Sequence, residues 1–143
     1  MSVTLIGALT RKENSFMISP SNKPVILAVD DAAFVCDTLR TWLQDTYDIH
    51  TFLDGKSALE FLGKNETDLI LLDYDMPGMT GYEVLMKIRQ NPTIKRRIPI
   101  VFLTAVTNER MEEEMLNRGA DAYIRKPLDI GILKHTINEY LTK

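Results

Sequence analysis

From Pro24 onward, short apolar runs alternate with segments whose apolar residues recur at helical spacing. Val25 to Val29 is continuously apolar and predicts a first strand, and Phe34, Val35, Thr38, Leu39, Trp42 and Leu43 then mark a helix. Ile49 to Leu53 predicts a more mixed second strand, followed after Gly55 by a short helix carrying Ala58, Leu59, Phe61 and Leu62. Leu69 to Leu72 predicts a third strand, then a loop through Met76-Pro77-Gly78 and a helix with Val84, Leu85 and Ile88 that stops before Pro92. Ile98 to Leu103 predicts the fourth, with Pro99 confined to its beginning because proline cannot donate to a ladder. Met111, Met115 and Leu116 give the next helix one apolar stripe, with Glu112-Glu113-Glu114 largely on its wet side and Gly119 as its stop. Ala122 to Ile124 predicts the last strand, and Ile130, Leu133, Ile137, Tyr140 and Leu141 the last helix.

Strict alternation of strand and helix is the signature of an α/β fold with a parallel sheet, here a (βα)5 three-layer sandwich. Strands one, three and four are apolar throughout, as expected where helices cover both faces, whereas two and five are mixed and suit the edges. This is compatible with the order 2-1-3-4-5, the flavodoxin-like arrangement, whose ligand crevice lies at the carboxyl ends of strands one and three. The chain has 143 residues, enough for one domain with a single core. We divide it into an N-terminal extension, residues 1–23, and a domain, residues 24–143. The extension mixes Leu5, Ile6 and Leu9 with Arg11-Lys12 and a turn-prone Ser19-Pro20-Ser21-Asn22, and it reads as a loosely held tail or a docking segment.

Polar residues punctuate the strand ends: Asp30-Asp31, Asp73, Thr104 and Lys126-Pro127. In a parallel sheet they project from one edge. Adjacent strands lie about 4.8 Å apart, so carboxylates on neighbouring ends can share one cation. Oxygen ligands without histidine favour Mg²⁺ over zinc. Beside such an ion Asp73 could attack phosphorus, Lys126 supply a point charge and Thr104 donate a hydroxyl hydrogen bond. Each residue also has a plain structural alternative: Asp31 as a cap for helix one, Asp73 as the start of a turn, Thr104 as a cap for helix four, Lys126 as a solvated cation.

A net charge of -3 argues against a protein devoted to nucleic acid, and Lys95-Arg96-Arg97, the one basic run, reads as a solvated loop. Cys36 is the sole cysteine, so no internal disulfide can form, and a reducing cytoplasm fits best. No apolar stretch approaches the roughly 20 residues needed to span a bilayer. The Met1 to Leu9 patch lacks the preceding basic region of a signal peptide.

The segments Ile26 to Asp31, Leu69 to Gly81, Val101 to Ala105 and Gly119 to Pro127 together resemble the receiver domain of two-component response regulators, in that family's order and spacing. The resemblance spans residue 24 to the C-terminus. It implies Asp73 as phosphoacceptor, with a histidine kinase or histidine phosphotransfer protein as donor. It also implies Asp31, Asp73 and the backbone carbonyl of Asp75 as Mg²⁺ ligands, with Asp30 supporting them. Thr104 and Tyr123 would form the switch pair, Lys126 would precede a cis Pro127, and the side chains of Asp75 and Val106 would tune phosphoryl lifetime. Such a domain catalyses only its own phosphorylation and dephosphorylation. Its output is a change in the surface of helix four, strand five and helix five, a face that would regulate a protein target or pair with a second copy as a homodimer. With no output domain after Lys143, a stand-alone or excised receiver is expected. Two rivals stay open. Asp73-Tyr74-Asp75 also resembles the nucleophile loop of haloacid-dehalogenase-like phosphatases, although no second acidic pair follows the lysine. A pseudo-receiver that only binds a partner is the other.

Overall fold

The computed structural model describes residues 22–105 and 108–143. Residues 1–21, which hold most of the expected extension, and Val106 lie outside the described residues. The strands are β1 (Val25–Val29), β2 (Asp48–Phe52), β3 (Leu69–Asp73), β4 (Ile100–Thr104) and β5 (Ala122–Arg125). Between and after them run α1 (Ala33–Leu43), α2 (Gly55–Lys64), α3 (Gly81–Arg89), α4 (Glu109–Asn117) and α5 (Ile130–Leu141). All strand pairs are parallel and the order is β2-β1-β3-β4-β5, the flavodoxin-like arrangement expected.

Period-two alternation divides the core into two layers. Leu27, Val29, Ile70, Leu72, Ile100 and Phe102 face α2, α3 and α4, packing on Ala58, Val84, Leu85, Ile88 and Met115. The intervening Ile26, Ala28, Leu69, Leu71, Val101 and Leu103 meet α1 and α5 through Leu39, Leu43, Leu133 and Ile137. Because both faces are covered, β3 and β4 are buried along their whole length, while β2 is only half-buried. This is why the central strands read as unbroken apolar runs.

The starts of α2, α3, α4 and α5 carry their own hydrogen-bond acceptors. Asp54 accepts from Ser57 N–H at α2, Asn108 from Arg110 N–H at α4, and Asp129 from Ile132 N–H at α5. Thr80 and Glu83 form a reciprocal capping box at α3. At the opposite edge of the sheet, Asp121 pairs with Arg89 at 3.1 Å and Arg97 at 2.6 Å. Arg96 pairs with Asp68, so the basic run is exposed but partly engaged. Among the described residues no helix is long and apolar enough to cross a membrane.

Several boundaries and faces differ from expectation. β2 begins one residue earlier and ends at Phe52, leaving Leu53 51% exposed. β4 begins at Ile100, and Pro99 precedes it with its carbonyl accepting from Ile70 N–H. Phe34 is 79% exposed and Ile130 40%. Both sit in the first turn of their helices, where the chain has run past the sheet surface that would cover them. Leu116, expected on the apolar stripe of α4, is also largely solvent-facing, whereas Glu112, expected on the wet side, is 3% exposed.

Candidate functional site

The sheet register assembles the site. Val29 pairs with Leu72, so the next residues, Asp30 and Asp73, emerge side by side at the ends of β1 and β3. Asp73 pairs with Leu103, and Thr104 with Arg125, so the ladder delivers Thr104 and then Lys126 at the same edge. Asp30 and Asp73 are buried and Asp31 is exposed. One carboxylate oxygen from each of these three lies within 4.8 Å of the others. Lys126 bridges the two buried acids, its Nζ 2.8 Å from Asp30 Oδ2 and 3.4 Å from Asp73 Oδ1. The Lys126-Pro127 peptide is cis, as the resemblance implied.

This crowding perturbs the acids. Burial first, and then the Asp30 charge, push the Asp73 carboxyl up to about 7, against the pull of Lys126 and despite the Asp75 N–H donated to Asp73 Oδ1 at 3.3 Å. Burial works against the Lys126 charge, but bonding to Asp30 and the charge of Asp73 prevail, and its ammonium is held above the ordinary lysine range. An excess of negative charge in a pocket of oxygen ligands suits a hard divalent cation such as Mg²⁺.

The capping alternatives for Asp31 and Thr104 do not hold. The N-cap of α1 is Ala32, which has no side-chain cap bond, so Asp31 does not cap it. Instead Asp30 Oδ1 accepts from Ala32 N–H at 2.9 Å. Asn108 rather than Thr104 caps α4, and Thr104 is buried with its carbonyl accepting from Lys126 N–H at 2.7 Å. Asp75 is exposed at the rim. Cys36 is buried on α1, and burial pushes its thiol up. His50 is satisfied locally by Asp48 and stacks on Phe61.

The Tyr123 hydroxyl donates to Glu112 Oε1 at 3.0 Å. Arg125 donates to the same carboxylate from Nε at 2.6 Å and Nη2 at 2.8 Å. The Arg125 bond, followed by that of Tyr123, holds the Glu112 carboxyl below its usual range, and Glu112 in turn holds the Tyr123 hydroxyl above its own. Sequence reasoning passed over Glu112 and Arg125. The signal was present: Glu112 stands three residues before the buried Met115, on one helical face with it, but it was masked by a run of three glutamates.

Gly81 fixes the loop after β3. Its N–H donates to Tyr74 O at 3.1 Å, and a Cβ there would lie 2.3 Å from Asp73 O and 2.8 Å from Tyr74 Cα. Gly81→Ala is therefore expected to lower the unfolding free energy by about 2 kcal/mol, because backbone and not a flexible side chain must yield. Gly63→Ala, in α2 with nothing within 4 Å of the new methyl, is expected to be neutral or stabilising. Urea denaturation of the two variants checks the contrast.

Comparison with known proteins agrees with the geometry. The family model "Response regulator receiver domain" matches residues 26–138. A probable cyclic di-GMP phosphodiesterase of Vibrio cholerae is 39% identical over 116 residues, 81% of this chain and 26% of that protein. Response regulator SaeR of Staphylococcus aureus is 34% identical over 119 residues, 82% of this chain and 50% of that protein. The chain thus spans between a quarter and a half of the length of these curated relatives. The solved chemotaxis response regulator CheY4 of Vibrio cholerae superposes with a TM-score of 0.77 at 32% identity, covering 84% of this chain and 100% of that one. With its sheet order, its strand-end acids and this match over most of its length, the chain belongs to the response regulator receiver domain family.

Proposed function

We propose that residues 24–143 form a phosphoacceptor domain that takes a phosphoryl group onto Asp73 and changes its α4, β5 and α5 surface in response. The observation that carries this reading is the buried Asp73 carboxylate beside Asp30 and Asp31, with the Lys126 ammonium 3.4 Å away. An Asp73 oxygen attacks phosphorus, the bond from phosphorus to the donor nitrogen breaks, and the histidine of a kinase or phosphotransfer protein leaves with its electron pair. Asp31 and Asp73, with the Asp75 carbonyl and Asp30 in support, would hold Mg²⁺. The bound ion would neutralise the carboxylates and receive a phosphoryl oxygen. Lys126 moves from pairing with Asp73 to pairing with the phosphoryl group, and the Thr104 hydroxyl donates to another of its oxygens.

Thr104 is the link to the surface, since its movement towards the phosphoryl group frees space for the Tyr123 ring. Asp75 at the rim, and Val106 two residues past the threonine, tune the lifetime of the aspartyl phosphate. A protein target, or a second copy of the domain, reads the altered α4, β5 and α5 face. The setting is the cytoplasm, where the donor histidine resides.

Acetyl phosphate with Mg²⁺ is expected to add one phosphoryl mass to the protein, and chelation by EDTA to abolish the addition. Intact-mass spectrometry reads both. An unmodified protein under these conditions would instead mark a domain that only binds its partner, and continuous release of inorganic phosphate from a phosphomonoester would mark a phosphatase.

A further inference from the structure

A carboxylate withdrawn from water is costly unless its lone pairs are filled, so each one in a structure calls for a partner set. Glu112 has such a set, and all of it comes from β5. Tyr123 and Arg125 are two apart on that strand, hence on one face, and Glu112 reaches across from α4 to both. Glu113, the next residue of α4, is exposed, so the burial of Glu112 is specific to its position. Arg125 meets the carboxylate as a two-pronged fork, the geometry that fixes direction as well as attraction. The tyrosine ring meanwhile packs against the layer shared with α4, and its hydroxyl is drawn towards the helix. In register, Arg125 lies beside Thr104, and the next residue is Lys126. One side chain on α4 therefore contacts, through Tyr123 and Arg125, the strand that leads into Lys126.

We propose that Glu112 is a positioning residue that, together with Arg125, clamps the Tyr123 hydroxyl towards α4 and holds the ring in its resting orientation, so that phosphorylation must release the clamp before the surface can change. This rests on the reading of Thr104 and Tyr123 as the switch pair. The clamp belongs to the resting state alone. It therefore lowers the fraction of molecules ready to take a phosphoryl group, and apparent affinity for a phosphoryl mimic falls by that fraction.

The test uses the full chain carrying 3-fluorotyrosine, with the Tyr123 resonance identified by its loss in Tyr123→Phe, and BeF₃⁻ with Mg²⁺ as the mimic. In the wild-type protein the mimic is expected to move the Tyr123 resonance. In Glu112→Met, which keeps the volume and removes the acceptor, that resonance is expected to lie part-way to the loaded position before any mimic is added. The mimic is expected to bind this variant about 5-fold more tightly, following from the population argument. Glu112→Gln keeps a neutral acceptor, folds with the same shape, and is expected to fall between the two. If the wild-type resonance moves but both variants rest at the wild-type position with wild-type affinity, the clamp is overturned and the switch pair stands. If the wild-type resonance does not move, the switch pair fails and the clamp with it.

Discussion

Asp73→Asn is expected to yield a protein that accepts no phosphoryl group yet unfolds later than the wild type at pH 8 in the absence of divalent cations. The first half follows from removal of the attacking oxygen. The second follows from the cost of the resting site. Burial and the neighbouring Asp30 raise the Asp73 carboxyl from 3.8 to about 7. A carboxyl raised in the folded state binds its proton more tightly there than in the unfolded chain. Its contribution to stability is therefore fully present below about pH 4 and is lost as the pH rises through about 7. At about 1.4 kcal/mol for each pH unit between those values the ceiling is about 4 kcal/mol, and adjustment of the coupled acids and Lys126 leaves about 2 kcal/mol. Asparagine keeps the shape without the charge, so its advantage over wild type is expected to reach about 2 kcal/mol at pH 8 and to shrink towards zero near pH 4. Urea denaturation of both proteins across this pH range measures the gap directly. A gap that stays constant or narrows as the pH rises would contradict a raised Asp73. Saturating Mg²⁺ is expected to close the gap at pH 8, because an ion that binds the folded wild type stabilises it by mass action.

Lys126→Ala is expected to move two properties of the site in opposite directions. The ammonium lies 2.8 Å from Asp30 and 3.4 Å from Asp73, so it competes with any divalent cation for the same oxygens. Its removal is expected to tighten Mg²⁺ binding several-fold in calorimetric titration, since electrostatic repulsion of the ion is lost. The rate of phosphorylation by acetyl phosphate is expected to fall about 100-fold, the usual cost of deleting one preorganised charge partner of a transition state. A variant that was merely misfolded would lose both properties. Opposite signs therefore identify Lys126 as a participant in phosphoryl transfer, and a parallel loss would reject that role.

The fold was legible because its central strands are buried on both faces. Uninterrupted apolar runs such as Leu69 to Leu72 admit few other readings, and the mixed composition of Ile49 to Phe52 marked an edge. The cluster of acids, threonine and lysine was equally visible as polar residues standing at strand ends, since parallel pairing brings such residues to one edge whatever the loops do. What escaped were features decided by tertiary neighbours. Glu112 is polar by type and buried by position, and only the arrival of Arg125 and Tyr123 from another element makes that burial tolerable. Phe34 is the converse, an apolar residue left uncovered because α1 begins beyond the sheet. Periodicity reports the average face of a helix and is blind to both.

The contrast between β3, enclosed along its whole length, and β5, an edge strand with mixed burial, divides the molecule mechanically. Displacing β3 would disrupt packing on both layers of the core, while β5 gives up ladder bonds on one side only. The domain is therefore expected to behave as a rigid anvil carrying a compliant rim, in which Asp73 stays fixed while the β5 edge yields beside it.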